Sequence, residues 1–183
     1  MDNQFTVSLK GMDPTIAYYF NWAANALVPF FPGGADQYLR LHKPTIHSVA
    51  QNLLAKIKYR PTLLYRGVIL REPVTMISPN PGLQYLSFST DRSVAAHFAN
   101  INGFGSEIID ITKQLGNYGY IIQYQPALHE ILFHYAFLDF LPFTEAFNYI
   151  GLDGAGQVEA LKKQKEVMIL QPTAPFEAIQ PQF

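Results

Sequence analysis

Three short groups of polar residues stand in the second half of the sequence, each within or at the end of a run that is typical of a β-strand. They are "YRG" at Tyr65 to Gly67, "SFST" at Ser87 to Thr90 and "QKE" at Gln164 to Glu166. A guanidinium group binds phosphate oxygens with a fork of donors. A carboxylate fixed beside a sugar stabilises the positive charge that develops when a glycosidic bond breaks. If the fold brings the three groups together, they could bind a phosphate and assist glycosidic cleavage in one cleft.

The second group places three hydroxyl side chains at the junction of a strand-like run and a helix-like run. Thr90 or the following Asp91 alone suffices to cap the helix, because either can accept a hydrogen bond from its first free amides. Ser87 and Ser89 lie two residues apart on the strand and therefore point to the same face. Such pairs are commonly satisfied by local hydrogen bonds, so their functional meaning depends on the other two groups.

Taken in this order, the three groups resemble the motif set of the mono-ADP-ribosyltransferases of the Arg-Ser-Glu group. This family includes the clostridial Rho-modifying exoenzymes, the binary actin toxins and several bacteriophage enzymes. The resemblance extends from about Pro61 to the C-terminus, and Phe88 stands where the family commonly has threonine. The aromatic segment 128–149 has no match in it.

The resemblance implies that NAD+ is the co-substrate and that no metal is needed. Arg66 would contact the pyrophosphate side of NAD+, and Gly67 would let the backbone come close. The two serines would position the nicotinamide ribose. Phe104, in the loop after the next helix, would lie against the nicotinamide, with core packing as the competing interpretation. The implied NAD-binding residues are Arg66, Gly67, Ser87, Ser89, Thr90 and Phe104.

The same resemblance assigns catalysis to the third group. Glu166 would stabilise the cationic sugar, and Gln164 would orient the incoming nucleophile through its amide. With a period of two along a strand, these two side chains share a face while Lys165 points away. A second Gln-x-Glu pattern ends at Glu159, but the run "ALKK" that follows it is helix-like or loop-like, whereas "VMIL" after Glu166 is strand-like. The pattern therefore favours Glu166.

Gln164 also bears on the acceptor. Within the family, glutamate at this position goes with arginine acceptors, whereas glutamine goes with asparagine or glutamine and, in some relatives, with guanine bases. An amide can hydrogen-bond another amide in both directions, while a carboxylate better matches a guanidinium. The expected partner is a target protein modified at Asn or Gln, with a nucleic acid less favoured because the net charge is −1. Lys162, Lys163 and Lys165 could meet an acidic partner, but such lysines usually form a solvated turn.

Two other classes of protein stay open at this point. An NAD+ glycohydrolase would use the same pocket with water as the acceptor. A noncatalytic interaction module could be built on the same fold, because a fold does not fix a function. The run "HEILFH" resembles a zinc-protease motif only superficially, because its histidines are five residues apart and a shared helical face needs four. We expect it to lie in the core.

The secondary structure that must position these groups begins with two predicted helices. "MDPTIAYYFNWAANALVPFF" predicts a helix with Asp13 as N-cap, Pro14 at its first position and an end at Pro29. The "PGG" that follows predicts a turn. "KPTIHSVAQNLLAKIKY" predicts a second helix with one apolar face.

Strands dominate from Pro61 onward. "PTLLYRGVIL", "LQYLSFS" and "GYIIQYQ" predict strands, and "DRSVAAHFAN" predicts a helix. "ALHEILFHYAFLDFLPF" is interpreted as a buried helix, and "QKEVMILQ" and "PFEAI" as terminal strands that pair around the "PTAP" turn. This order predicts an α+β fold. The resemblance implies that the N-terminal helices precede a strand-rich NAD-binding core of two packed, mainly antiparallel sheets.

Length and composition favour one domain over residues 1–183, with a helical part at 1–60 and the strand-rich core at 61–183. Hydrophobic residues make up 49% of the chain and charged residues 15%, so material for a core is ample. Because there is no cysteine, disulfides, thiolate zinc sites and a cysteine nucleophile are excluded. Neither a conventional signal peptide nor a run of roughly 18 apolar residues is found. We therefore expect a soluble protein, without a membrane partner, that acts in a cytoplasm, its own or that of a host or target cell.

Overall fold

The computed structural model describes residues 9, 11–28, 32–80, 82–99 and 118–179, and it shows an α+β protein, as the sequence predicts. Two helices precede the strands of this part of the chain, α1 at Pro14–Ala26 and α2 at Pro32–Lys56. The elements that follow are β1 at Leu64–Leu70, β2 at Met76–Ile77, β3 at Tyr85–Ser89, α3 at Arg92–Ala99, β4 at Tyr118–Tyr124, β5 at Ile131–His134, α4 at Leu141–Tyr149, α5 at Gly154–Gln164, β6 at Glu166–Leu170 and β7 at Phe176–Glu177.

The first helix begins where the sequence predicts. The Asp13 carboxylate accepts a hydrogen bond from the Thr15 amide at 2.8 Å, and Pro14 occupies the first helical position. Proline is tolerated there because its missing N–H would have no partner within the helix. The helix ends at Ala26, before the predicted end at Pro29, which lies outside the described residues.

The second helix is longer than the sequence predicts. It begins at Pro32, so the prediction of a turn at "PGG" was wrong and that segment is the start of α2. A kink at His42, with φ −123° and ψ 20°, separates its two halves. Pro44 explains the kink, because its ring crowds the preceding turn and it lacks the N–H that a helix interior needs. The predicted helix corresponds to the half after the kink.

The large sheet has five strands in the order β4-β1-β3-β6-β5, and every pairing is antiparallel. All seven residues of β1 pair with β4, and all five residues of β3 pair with β6. Between β1 and β3, however, the register contains one pair alone, Tyr65 opposite Ser89. The two central strands therefore separate beyond this pair and leave a notch in the sheet.

The N-terminal helices cover the face of the sheet that carries Tyr85. Trp22 and Tyr19 of α1 are fully buried. The Trp22 ring meets the Tyr85 ring edge-on at a centroid distance of 6.0 Å, and the Tyr19 hydroxyl donates to the carbonyl oxygen of Leu132 at 2.8 Å. These contacts attach α1 to β3 and to β5, so the helical part and the strand-rich part share one core.

A two-stranded sheet of β2 and β7 lies against the large sheet. The Phe176 ring of β7 packs against Phe88 at 6.2 Å and against Tyr124 at 5.8 Å. The prediction that the two terminal strands pair with each other was therefore wrong. Because β6 is already flanked by β3 and β5, it offers no free edge to β7.

Helix α3 packs against β1 and β4 at two glycines. A Cβ atom at Gly67 would lie 2.0 Å from the Ala95 carbonyl oxygen, and one at Gly119 would lie 2.0 Å from the Ala99 carbonyl oxygen. Any side chain at either position would collide with the helix backbone. The glycines therefore set how closely α3 approaches the sheet beside the notch.

The aromatic segment is not the buried helix that the sequence predicts. It forms a short 3-10 turn at Leu128–Glu130, strand β5, and a second 3-10 turn at Tyr135–Asp139 before α4. Its burial was predicted correctly, since Ile131, Leu132 and Phe133 are all inaccessible to solvent. A short apolar run that is buried on both faces does not reveal whether it is helix or strand. Across the described ranges, no helix is long and apolar enough to cross a membrane.

Candidate functional site

A cavity of about 420 Å³ lies at the notch between β1 and β3. Arg66 of β1, Ser87 of β3 and Glu166 of β6 all line it, although the first and last are a hundred residues apart in sequence. They meet because the three strands are neighbours in the sheet. Apolar side chains from the residue after α1, from α3 and from the segment before β3 complete the wall, among them Leu27, Leu83, Val94 and Phe98. A mainly apolar cavity of this size with a few convergent polar groups is typical of a small-molecule site.

Arg66 spans the notch. Its Nη1 donates a hydrogen bond of 2.7 Å to the carbonyl oxygen of Ser87, which β1 does not pair at this point. Burial lowers the pKa of the Arg66 guanidinium, and the nearby charge of Glu166 opposes that effect. The guanidinium nevertheless stays cationic, since an arginine does not lose its proton in proteins. One wall of an otherwise apolar cavity is therefore positively charged.

Glu166 is the first residue of β6 and a diagonal neighbour of Ser87 across the strand pair. The Ser87 hydroxyl donates a hydrogen bond to Glu166 Oε1. Burial raises the pKa of Glu166 to about 7, although the bond from Ser87 and the charge of Arg66 lower it. The carboxyl group therefore changes charge near neutral pH, and it does so where charges are weakly screened.

Gln164 does not lie on the strand that the sequence predicts for it. It is the last residue of α5, and Lys165 follows in the left-handed conformation, with φ 48° and ψ 46°, before β6 starts at Glu166. The argument from strand periodicity was wrong for this pair, because a helix end with a left-handed cap sets the direction of both side chains. Gln164 and Glu166 still line the same cavity.

Ser89 connects the turn after α5 to β3. Its hydroxyl donates to the Gln164 carbonyl oxygen at 2.7 Å and accepts from the Asp91 amide at 3.0 Å. Beside it, the Thr90 amide donates to the Lys165 carbonyl oxygen at 3.1 Å. Ser89 lines the cavity and Thr90 does not. The two serines thus share a face as predicted, with Ser87 holding the Glu166 side chain and Ser89 holding the backbone before it.

Asp91 joins the same two segments and starts α3. Its Oδ1 accepts from the Ser93 amide at 2.9 Å, which confirms the predicted cap, and its Oδ2 lies 3.0 Å from Lys165 Nζ. Hydrogen bonds from Ser93 and from Lys165 lower the pKa of Asp91 to about 2. The turn that carries the candidate catalytic residues is therefore attached to α3 by side chains as well as by backbone.

Gly67 lines the cavity, and its lack of a side chain serves the approach of α3. The sequence interpretation assigned that freedom to the ligand. In the structure, the backbone that comes close is that of Ala95, Phe98 and Ala99 in the helix. Gly67 therefore shapes the site through the position of one of its walls.

The lysines near the site are neutralised by local carboxylates. The pairs are Lys162 with Asp139 at 2.5 Å, Lys163 with Glu159 at 3.2 Å, and Lys165 with Asp91 at 3.0 Å. The solvated-turn interpretation of these lysines fits this arrangement better than a basic patch does. Glu159 lies on α5 and pairs with a lysine of the same helix, as expected for the second Gln-x-Glu pattern.

Tyr85 is a cavity residue that the sequence reasoning missed. It lies two positions before Ser87 on β3 and therefore on the same face of the strand. Burial raises the pKa of Tyr85 to about 12, with further contributions from the charges of Asp36 and Glu166. The alternation Tyr85, Ser87, Ser89 was the signal in the sequence that could have identified it.

The remaining sequence candidates lie elsewhere. His134 of "HEILFH" is buried on β5, its Nδ1 accepts from the Ala136 amide at 3.1 Å, and burial lowers its pKa to about 4. The expectation that this run lies in the core is confirmed for His134 and was wrong for His129, which is exposed because it lies in the 3-10 turn before β5. In the parts of the chain that the structure describes, no group of three His, Asp or Glu residues is placed to hold a metal ion. Phe104 lies outside the described residues.

Comparison of the chain with protein-family models, with curated proteins and with solved structures gives no match. The chemistry of the site therefore has to be judged from its own residues. They provide a fixed cation, a carboxyl group that ionises near neutral pH, and an apolar enclosure around both.

Proposed function

We propose that this protein is an NAD-dependent mono-ADP-ribosyltransferase of the Arg-Ser-Glu group with the fold of that family. One observation carries the proposal: Arg66, Ser87 and Glu166, on three neighbouring strands, line one cavity and are linked through Ser87. Helices before a mainly antiparallel sheet, and a smaller sheet packed on it, agree with the proposed fold.

Arg66 is the residue that we assign to the pyrophosphate of NAD+. Among the described residues, its hydrogen bonds involve Nη1 alone, which leaves Nε and Nη2 for phosphate oxygens. The fork geometry of a guanidinium suits such oxygens, and the apolar surroundings strengthen the attraction. The bond to Ser87 fixes the side chain before the ligand binds, so little conformational freedom is lost on binding.

Glu166 is the residue that we assign to the nicotinamide ribose. When the bond between nicotinamide and ribose breaks, the bonding electron pair leaves with the nicotinamide and positive charge develops on the sugar. The ionised carboxylate of Glu166 stabilises that charge, and Ser87 holds the carboxylate in place. The acceptor nitrogen then bonds to the sugar carbon and releases its proton to water.

Gln164 is the residue that we assign to the acceptor. The Ser89 hydroxyl donates a hydrogen bond to the main-chain carbonyl oxygen of Gln164. None of the described residues hydrogen-bonds the side-chain amide of Gln164. That amide can hydrogen-bond an Asn or Gln side chain in both directions. The local pairing of the neighbouring lysines favours a protein acceptor over a nucleic acid.

The experiment is to incubate the purified protein with NAD+ labelled in its ADP-ribose part and a bacterial lysate. Nicotinamide release and label on protein and on nucleic acid are measured separately. Glu166→Ala should abolish labelling, whereas Glu159→Ala, the matched change on α5, should not. Gln164→Glu should weaken labelling more than nicotinamide release, because the change affects the acceptor and not the sugar.

Each alternative predicts a different result of this assay. Nicotinamide release that depends on Glu166, with no label on any macromolecule, would identify an NAD+ glycohydrolase. Label on nucleic acid would show that the acceptor is a nucleic acid and not a protein. If NAD+ survives untouched, the proposed activity is wrong and the noncatalytic module takes its place.

A further inference from the structure

The hydroxyl group of Tyr85 has no hydrogen-bond partner among the described residues, although only 9% of the residue is exposed. Its ring packs against the edge of Trp22, and the residue forms part of the cavity wall. The ring is buried, whereas the hydroxyl oxygen is accessible, unlike that of Tyr59. Tyrosines with an apolar body in a core and a polar end at an accessible site commonly use that end for a hydrogen bond. The cavity is where a ligand could supply it.

Tyr85 lies close to the group that we assign to the sugar. It shares one face of β3 with Ser87, roughly 7 Å away along the strand. Ser87 in turn holds Glu166, and the charges of Asp36 and, to a smaller extent, of Glu166 act on the Tyr85 phenol. Because burial raises the pKa of Tyr85 to about 12, the phenol is protonated at neutral pH and can both donate and accept.

We propose that the Tyr85 hydroxyl hydrogen-bonds a hydroxyl group of the nicotinamide ribose and so determines which sugar the site accepts. This inference rests on the proposed function. A ribose ring presents two neighbouring hydroxyls, each able to donate and to accept. The Glu166 carboxylate accepts from one, and the Tyr85 phenol bonds to the other. A site built in this way rejects an analogue that lacks the bonded hydroxyl.

The test is a double-change cycle, in which the Tyr85 hydroxyl and one ribose hydroxyl are removed separately and together. Nicotinamide release is measured for the wild type and for Tyr85→Phe with NAD+ and with its 2′-deoxy and 3′-deoxy analogues, the hydroxyl being removed from the nicotinamide ribose. Tyr85→Phe should lower kcat/KM for NAD+ about 10- to 100-fold. On one of the two analogues, the wild type and Tyr85→Phe should be equal within about twofold, because the bond is already lost.

Tyr59→Phe is the matched control. The Tyr59 hydroxyl is buried and has no hydrogen-bond partner among the described residues, but its ring packs on His134 at 4.7 Å and does not line the cavity. This variant should match the wild type on all three substrates.

Three results would overturn the inference, and they are distinguishable. If Tyr85→Phe cleaves NAD+ as well as Tyr59→Phe does, the phenol binds nothing. If its loss is the same on all three substrates, the hydroxyl acts on something other than the ribose. If the wild type releases no nicotinamide at all, the proposed function itself fails, and the inference fails with it.

Discussion

The two edges of β3 differ in a way that defines the site. Along the edge shared with β6, five consecutive residues pair, from Tyr85 opposite Leu170 to Ser89 opposite Glu166. Along the edge shared with β1, one pair closes the sheet and the strands then separate. We call these the closed edge and the open edge.

The difference shows how one strand serves two needs. On the closed edge, backbone pairing and the Ser87 hydroxyl fix the Glu166 carboxylate, as the role that we propose for it requires. On the open edge, the missing pairs create the volume that a ligand needs, and Arg66 bridges the gap to the Ser87 carbonyl oxygen. The closed edge of β3 therefore holds the carboxylate rigidly, and the open edge of the same strand gives a ligand access.

The largest expected effect comes from a substitution on β1, beside the open edge. In Gly67→Ala, the new methyl group would lie 2.0 Å from the Ala95 carbonyl oxygen, so α3 has to move away from β1. We expect a loss of about 3 kcal/mol in the free energy of unfolding, measured by urea denaturation. The control is Gly34→Ala in α2, where a Cβ meets nothing within 4 Å. That change should leave stability unaltered or raise it by up to about 1 kcal/mol. Equal stabilities for the two variants would contradict the close packing of α3.

An effect of similar size tests the closed edge through its dependence on pH. Because the pKa of Glu166 is raised from 4.5 to about 7, the folded protein holds this proton at pH values where the unfolded chain has lost it. The stability of the wild type relative to Glu166→Gln is therefore highest below pH 4.5 and falls as the pH rises to about 7. We expect a total change of about 3 kcal/mol between these two pH values.

Unfolding of the two proteins at a series of pH values measures that change. Groups common to both proteins cancel in the difference, so the remaining slope belongs to Glu166. A difference that is flat between pH 4 and 8 would mean that the carboxyl group is not buried as described.

The smallest effect concerns the link between the turn after α5 and α3. Asp91→Asn keeps an oxygen to cap α3 but removes the charge that pairs with Lys165. Both side chains are partly exposed, so the loss should be about 0.5 kcal/mol at low salt and should vanish at high salt. Glu159→Gln, which breaks a fully exposed pair on α5, should have an even smaller effect. If Asp91→Asn lost the same stability at high salt, the loss would come from a weakened helix cap and not from the ion pair.

Much of the fold could be predicted because local signals decide it. Asp13 and Pro14 specify the start of α1, and alternation specifies β1, β3 and β4. The predictions were wrong where tertiary contacts determine the secondary structure or the strand pairing. The run Ile131–Phe133 is apolar and buried on both faces, so its periodicity did not separate strand from helix. The partner of β7 depended on which strand edges other pairings had already used.

The site divides in the same way. Arg66, Ser87 and Glu166 could be identified from residue type and order, and they line one cavity. Gln164 was placed on the wrong element because a left-handed lysine gives little sequence signal, glycine being the usual residue there. Tyr85 was missed because a tyrosine in a strand is typical of core packing, although its alternation with Ser87 and Ser89 placed it on their face of β3.

The position of β6 links the assembly of the site to folding. Within the large sheet, β5 pairs with β6 alone, and β6 follows β3 and β5 along the chain. Until β6 inserts between them, β5 has no strand to join and Ser87 has no carboxylate to hold. These long-range contacts form late compared with local ones. A partly folded chain would therefore lack the group that we assign to NAD+ cleavage, and the proposed activity would arise in the same step that completes the sheet.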